Sequence, residues 1–430
     1  MNSSIFALAS HTGRAGVAVV RVSGPLAEGS IRALAGSLPP PRQAVLRRLV
    51  HQEAEIDRAL LLWFPAPHSF TGEDVAEFHL HGGRAIREAL FAALSALGLR
   101  PAEPGEFSRR AVENGKLDLT RAEAVADLVD AETPAQLRQA LRQHDGALAD
   151  LYEGWRTVLI AALGRAEAAI DFSDDGVGET EFAAAKTVAI EIIKQIQDHT
   201  NDAGRGENLR EGLRLTILGP PNAGKSSLIN ALARRDIAIV SDTPGTTRDV
   251  VEARLDIGGY LLLVADTAGV RDTKEPIEAE GVRRALSHAA GGMTLLLLDG
   301  AAQHPRAGLP ADLPEPDLTV WNKADLGFER DGLCVSLKTG KGVLELVKML
   351  QQKVQHKLES SAPSLTRPRH RHALQEALGH LQHGLTAPAS KPELLAEDLR
   401  LAMRAIGRIT GRVDVEELLD FVFRDFCIGK

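Results

Sequence analysis

The octapeptide Gly219-Pro-Pro-Asn222-Ala223-Gly224-Lys225-Ser226 places the strongest constraint on what this chain can fold into. It fits the spacing glycine, four residues, glycine, lysine, then serine or threonine, with the candidate strand 213–218 before it and a helical pattern after it. A strand, a glycine-rich loop and a helix in that order aim several backbone N–H groups at one point, which is a phosphate site. Lys225 adds charge for the outer phosphates, and the Ser226 hydroxyl, beside Ser227, can ligate Mg²⁺. A plain glycine-rich turn would show the same letters, so the rest of the chain decides the matter. Apolar runs at 261–265, 294–298 and 318–321 alternate with helical stretches, as the core strands of a parallel α/β sheet do.

Three further signals stand in order behind that loop. Asp266-Thr267-Ala268-Gly269 closes an apolar strand, offering a carboxylate to the magnesium shell and a glycine N–H to the γ-phosphate. Asn322-Lys323-Ala-Asp325 comes after another, and a carboxylate at its fourth position accepts both N1–H and N2–H₂ of guanine, which adenine lacks. Ser336-Leu337-Lys338 comes after the candidate strand 333–335, where backbone could touch guanine O6. Between the first loop and Asp266 lies Ser241-Asp242-Thr243-Pro244-Gly245-Thr246-Thr247, whose Thr247 hydroxyl can complete the magnesium shell in a nucleotide-dependent switch. Val270, after Gly269, cannot orient water. Glu278 and Glu280, in the stretch after Arg271, are the acidic candidates for that task, and Lys225 and Arg271 are the other candidate catalytic residues.

Composition narrows the rest. Of 430 residues, 44% are apolar and 4% aromatic, and the net charge is -8, so neither disorder nor a polybasic or base-stacking nucleic-acid binder is expected. The acidity is local: 118–211 carries 19 acidic against 9 basic side chains, so basic patches elsewhere remain open to RNA. With no membrane-span run, no signal-peptide layout and only Cys334 and Cys427, a cytoplasmic protein without disulfides is expected.

About three domains are expected from length. The first segment reads as mixed α and β, with strands at 16–22, 59–64 and 75–80 and a helix after Gly83. Two helix starts come next, a capping box of Thr120 with Glu123 and another at Thr133-Pro134 with Gln136. A single apolar stripe then runs from Leu137 through Leu141, Leu148, Tyr152, Trp155 and Leu159 to Ile170. After 360, three helical stripes return, the last opened by Asp414 with Glu417. The divisions expected are 1–117, 118–210, 211–360 and 361–430, with the second and fourth packing as one discontinuous helical domain around an inserted G domain.

These motifs resemble the MnmE (TrmE) family of tRNA-modification GTPases. The resemblance spans the chain: Val-Arg21-Val-Ser-Gly, Ser69-Phe-Thr-Gly-Glu-Asp74, His81-Gly-Gly83, Pro104-Gly-Glu-Phe107, Lys116-Leu-Asp-Leu119 and the terminal Cys427-Ile-Gly-Lys430. It implies an N-terminal α+β domain that dimerises and binds a one-carbon tetrahydrofolate, 5-formyl or methylene, through Arg21, Glu77, Lys116 and Lys430. It implies a Ras-like G domain that pairs with a second copy around K⁺ held by Asn222, Ser241, Thr243 and Thr246. Glu278 falls at the family's water-orienting position, and Cys427 at that of a suggested nucleophile. A flavin-dependent partner, MnmG, in a heterotetramer or larger complex, and C5 of the wobble uridine (position 34) of certain tRNAs complete the implied system, the added group being aminomethyl or carboxymethylaminomethyl. Two departures stand out. The stretch 301–316 is short and proline-rich, so the helix usual there should be reduced or missing, and Leu337 replaces a typical alanine at a position that acts through its backbone. A second class of function is a GTP-dependent switch in RNA or ribosome assembly, which needs neither the folate-type residues nor the terminal tetrapeptide.

Overall fold

The computed structural model describes residues 3–429 except 12, 173–176, 235–238, 240–251, 266–290, 311–312, 361, 414–415, 425 and 427–428. The chain divides into two compact units, one of 1–126, 144–153 and 407–430, the other of 127–143 and 154–406.

In the first unit a six-stranded sheet runs in the order β3-β4-β5-β2-β1-β6. Its strands are β1 (Ile5–Leu8), β2 (Val17–Ser23), β3 (Val45–His51), β4 (Ala54–Phe64), β5 (Val75–His81) and β6 (Arg100–Pro101). Only β1 and β6 pair in parallel. Alternate residues of β2 and β5 (Val20, Val22, Phe78, Leu80) are buried under α1 (Ala27–Ala35) and α2 (Arg84–Ala96), which contribute Ile31, Leu34, Leu90 and Leu94 to the same core. The three expected strands and the helix after Gly83 are present. The sequence reading misses β1, too short to alternate, and β3, which puts Leu46 and Arg48 in solvent.

Two local expectations need correction. Helix α4 (Leu119–Asp130) is capped by Asp118, whose Oδ1 accepts the Arg121 N–H at 3.0 Å and the Thr120 hydroxyl at 2.5 Å. Thr120 therefore lies inside the first turn, because an Asp two residues earlier is an equally good cap. The stripe from Leu137 to Ile170 is not continuous either. Gly146, at φ +107°, separates α5 (Pro134–His144) from α6 (Ala147–Asp171). Leu137 and Leu141 are each 44% exposed, while Ala135, Gln136, Gln139 and Ala140 make the buried face of α5. The α5 cap forms as expected: Gln136 Oε1 accepts the Thr133 N–H at 3.0 Å, and Thr133 Oγ1 accepts the Gln136 N–H at 3.5 Å. Asp414, which would open the last box with Glu417, lies outside the described residues.

The second unit holds the other sheet, in the order β12-β11-β10-β7-β9-β8. It comprises β7 (Leu213–Leu218), β8 (Glu252–Ile257), β9 (Tyr260–Ala265), β10 (Met293–Asp299), β11 (Leu318–Asn322) and β12 (Leu333–Cys334), all parallel except β8 against β9. Leu295, Leu296, Leu297 and Leu298 are all fully buried, as a central strand covered on both faces requires. Leu215, Ile217, Leu295 and Leu297 pack with Leu228 and Leu232 of α9 (Lys225–Ala233) and with Leu346, Leu350 and Val354 of α10 (Val343–Leu358). On the other face Leu218, Leu296 and Leu298 meet Leu309, Leu313 and Trp321. No helix joins β10 to β11 among the described residues, in line with the short 301–316 stretch, and loop leucines cover that face instead.

Long helices flank this sheet within the unit. Lys186 of α7 (Val177–Thr200) donates at 2.7 Å each to the carbonyls of Leu385, the last residue of α11 (Pro368–Leu385), and of Ala387 just beyond it. Arg371 of α11 reaches Asp202 at 2.8 Å, and Arg367 reaches Asp127 at 2.7 Å. The turn between β8 and β9 is seated on α5, where the Ala135 N–H donates to Gly259 O at 3.0 Å and Arg254 pairs with Glu132 at 2.8 Å. No described helix is long and apolar enough to cross a membrane.

Burial pushes the His199 imidazole, edge-on to Trp155, down to about 4; the Arg371 guanidinium acts in the same direction, against Asp202. An unfolded histidine titrates near ~6.5, so the stability this group contributes is fully present above that pH and is lost as pH falls toward 4. His199→Gln should flatten that loss: between pH 7 and 4, urea unfolding should cost the wild type about 3 kcal/mol more than the variant.

Candidate functional site

The phosphate loop leaves the C-terminal end of β7, where its neighbours β10 and β9 lie on opposite sides, the place where open α/β sheets leave a crevice. Two of its glycines are obligatory. At Gly219 (φ +154°) a Cβ would stand 2.2 Å from Leu297 O, and at Gly224 (φ +105°) it would stand 2.5 Å from Asn322 Nδ2. Asn222 holds a left-handed backbone (φ 62°) and is exposed, as are Ser226 and Ser227 in the first turn of α9. Ala223 is buried. Lys225 Nζ donates to Gly219 O at 2.7 Å and Pro220 O at 3.1 Å, so its ammonium arches back over the loop.

The motifs Asn322–Asp325 and Ser336–Lys338 are tied to that loop through one side chain. Asn322, 4% exposed at the end of β11, donates from Nδ2 to Ala223 O at 2.8 Å, and its Oδ1 accepts the Leu337 N–H at 3.2 Å. Asp325 comes next in a single 3₁₀ turn, Ala324–Leu326, and accepts the Ser336 hydroxyl at 2.6 Å. That hydrogen bond, the largest influence on it, holds the Asp325 carboxyl below its usual range, aided by Lys338 and Lys323. Ser336 is fully buried and also accepts the Thr339 N–H at 3.2 Å, while Lys338 is exposed. An ionised carboxylate beside a strand end, with two lone pairs on each oxygen, suits the paired N–H groups of guanine.

Lys323 adopts a left-handed backbone (φ 68°) and donates from Nζ to Asp299 Oδ2 at 2.7 Å. Sequence reading leaves Asp299 out. Its signal was available: it is the carboxylate closing β10, and ligand groups gather at the carboxyl ends of parallel strands.

In the first unit, Arg21 and Glu77 face each other across β2 and β5. Glu77 Oε1 takes Arg21 at 3.0 Å and its Oε2 meets His79 Nε2 at 3.2 Å, while the Arg21 guanidinium lies 5.7 Å from the Phe70 ring centre and 5.8 Å from that of Phe107. The stem of Lys116 lies against Gly72. Beneath the loop 69–74, Arg110 pairs with Glu73 at 2.9 Å and Glu106 at 2.8 Å, and Glu106 pairs with Arg100 at 2.5 Å. Burial works to raise the Glu106 carboxyl, but Arg100, the Glu103 amide and Arg110 outweigh it and hold it below the usual range. Ser23 donates to Glu73 at 2.7 Å, completing a network that shapes the loop beside Arg21.

Ser241, Asp242, Thr243, Pro244, Gly245, Thr246, Thr247, Asp266, Thr267, Ala268, Gly269, Arg271, Glu278, Glu280, Cys427 and Lys430 lie outside the described residues. Cys334, on β12, is partly exposed and has no thiol partner among the described residues.

A family model described as the MnmE helical domain matches residues 119–427, and one described as GTP-binding protein TrmE N-terminus matches residues 4–116. The tRNA modification GTPase MnmE of Paramagnetospirillum magneticum is 53% identical over 444 residues, with 100% of both chains covered. That of Rhodospirillum rubrum is 52% identical over 453 residues, with 99% of each covered. Among solved structures, the cytosolic domain of the T. maritima FeoB iron transporter in its GDP form covers 50% of this chain and 97% of its own at 18% identity and a TM-score of 0.25. Two matched regions that meet between Lys116 and Leu119, and identity above one half over the full length of curated relatives, establish that the chain belongs to the MnmE (TrmE) family.

Proposed function

We propose that this chain hydrolyses GTP and that the hydrolysis serves the modification of tRNA, the activity for which its relatives are named. One observation carries the nucleotide reading. The buried Asn322 amide links the phosphate loop at Ala223 to the base loop at Leu337, with Asp325 held ionised by Ser336 a turn away. Phosphate and guanine are thereby addressed by one rigid edge of one sheet.

Lys225 then acts on the outer phosphates with the backbone N–H groups of Ala223 and Gly224, and the motif residues from Ser241 to Thr247 and from Asp266 to Gly269 are assigned to GTP as well. Ser226, exposed at the start of α9, and Thr247 would hold Mg²⁺, which when bound neutralises phosphate charge. Asn222, Ser241, Thr243 and Thr246 are oxygen-bearing side chains suited to K⁺, whose charge would stand in for an arginine finger as two G domains pair. If so, GTP hydrolysis in potassium buffer should exceed that in sodium buffer of equal ionic strength by at least roughly tenfold; equal rates remove the Asn222 assignment.

Glu278 orients the attacking water, and Arg271 is a further candidate catalytic residue. Glu278→Ala should lower kcat by roughly 10²- to 10⁴-fold while GTP affinity stays within about twofold of wild type, because the side chain acts on water and not on the ground-state nucleotide. A matching loss of affinity would assign Glu278 a structural role.

The N-terminal domain of a homodimer binds one-carbon tetrahydrofolate through Arg21, Glu77, Lys116 and Lys430. The donor set fits: Arg21 Nε and Nη2 both lie on Glu77 Oε1, while Oε2, which meets His79, keeps a lone pair for a pterin N–H, and the basic residues suit a glutamate tail. When bound, the folate supplies the one-carbon unit, and a flavoprotein of the MnmG type joins the chemistry at C5 of uridine 34, with Cys427 the candidate nucleophile. The domain division 1–117, 118–210, 211–360 and 361–430 goes with this reading. Mass analysis of tRNA from cells lacking the protein should show wobble uridines without the aminomethyl-type group. Full modification would instead favour an assembly switch.

A further inference from the structure

Asp299 is engaged with the nucleotide edge by more than its bond to Lys323. Its Oδ1 accepts the Ala301 N–H at 3.0 Å, and in register it sits beside Asn322, whose carbonyl accepts the Gly300 N–H at 3.0 Å. The segment beyond it is clamped from outside. Arg330 donates to Gly300 O and Ala302 O at 3.3 Å each, and its guanidinium lies 5.2 Å from the centre of the Trp321 ring. A Cβ at Gly300 would stand 2.0 Å from Phe328, so that ring is pressed flat on the glycine. Where a helix would ordinarily leave β10, this chain fixes the end of the strand with two side chains from the base loop's own surroundings.

From this geometry we infer that Asp299 is a positioning residue for guanine recognition: it anchors the Lys323 ammonium so that the lysine's methylenes form a fixed wall beside the base that Asp325 reads. The inference rests on the guanine-nucleotide reading of this site. Held at 2.7 Å, with side-chain exposures of 34% for Lys323 and 22% for Asp299, the ammonium is neutralised and its long stem loses little further freedom when a base arrives. A released lysine would have to be ordered by the ligand. Phosphate recognition does not involve it, because Lys225 and the loop amides do that work.

The full-length protein tests this with Asp299→Asn, which is isosteric and keeps an acceptor for the Ala301 N–H. Titration with fluorescent GDP should show affinity about tenfold weaker, and KM for GTP should rise in parallel while kcat at saturation is retained. In a Lys323→Ala background the same change should add no further loss. Inorganic pyrophosphate, which has no base, should compete equally well against wild type and variant. Unchanged GDP affinity, losses that multiply in the double variant, or a parallel loss of pyrophosphate binding would each overturn the inference while leaving the guanine reading in place. Wild-type protein that fails to prefer GDP over ADP would overturn both.

Discussion

The nucleotide edge depends on one buried amide. Asn322 has a donor at one end of its side chain and an acceptor at the other, and the fold uses both, one on the phosphate loop and one on the base loop. Leaving either partner unpaired in the interior would cost on the order of 1–3 kcal/mol, so the two loops hold a fixed separation while the amide is in place. The close approach of Asn322 to Gly224 has a second consequence: any side chain at 224 would strike the amide. Glycine there serves the Asn contact as much as it serves the phosphate.

Behind that edge, the sheet is rigid because β10 is covered on both faces, but the covering differs from face to face. One side has regular helices, α9 and α10, while the other relies on Leu309 and Leu313 from a loop and on Trp321. Arg330 and Phe328 supply the restraint that a helix would provide. In the first unit the same logic appears with charge: Arg110 is almost fully buried, yet Glu73 and Glu106 both accept from it, so its buried positive charge is balanced and the loop 69–74 is held beside Arg21.

The phosphate and base motifs were legible because their function imposes spacing. A loop that must turn N–H groups to a phosphate needs glycines at 219 and 224, and a carboxylate that reads guanine must come three residues after Asn322. Strands such as β9 and β10 were legible from their apolar runs, since burial on both faces leaves no alternation to disguise, while β7, with Arg214 and Thr216 among its leucines, was placed by the glycine-rich loop that follows it. Helix boundaries were less so. Asp118 and Thr120 are both good caps, and only the hydrogen bond to Arg121 chooses between them. Leu137 and Leu141 kept the helical period of the stripe, but Gly146 resets the phase, and the face of α5 that packs is lined by Ala and Gln.

By itself, then, the sequence determined the order of elements around the phosphate loop, the residues we propose to address phosphate and guanine, and the family to which the chain belongs. These follow from local chemistry: strand, loop and helix periods, and side chains whose donors and acceptors match one ligand. The tertiary structure decided which of those side chains are already engaged and with what. That Asn322 joins a loop 99 residues before it to the base loop just after it, that Asp299 holds Lys323, and that Arg21 and Glu77 face each other across two strands are products of strand register. Register is set by how whole sheets bury their apolar faces, a property of the packed chain that no short stretch of sequence contains.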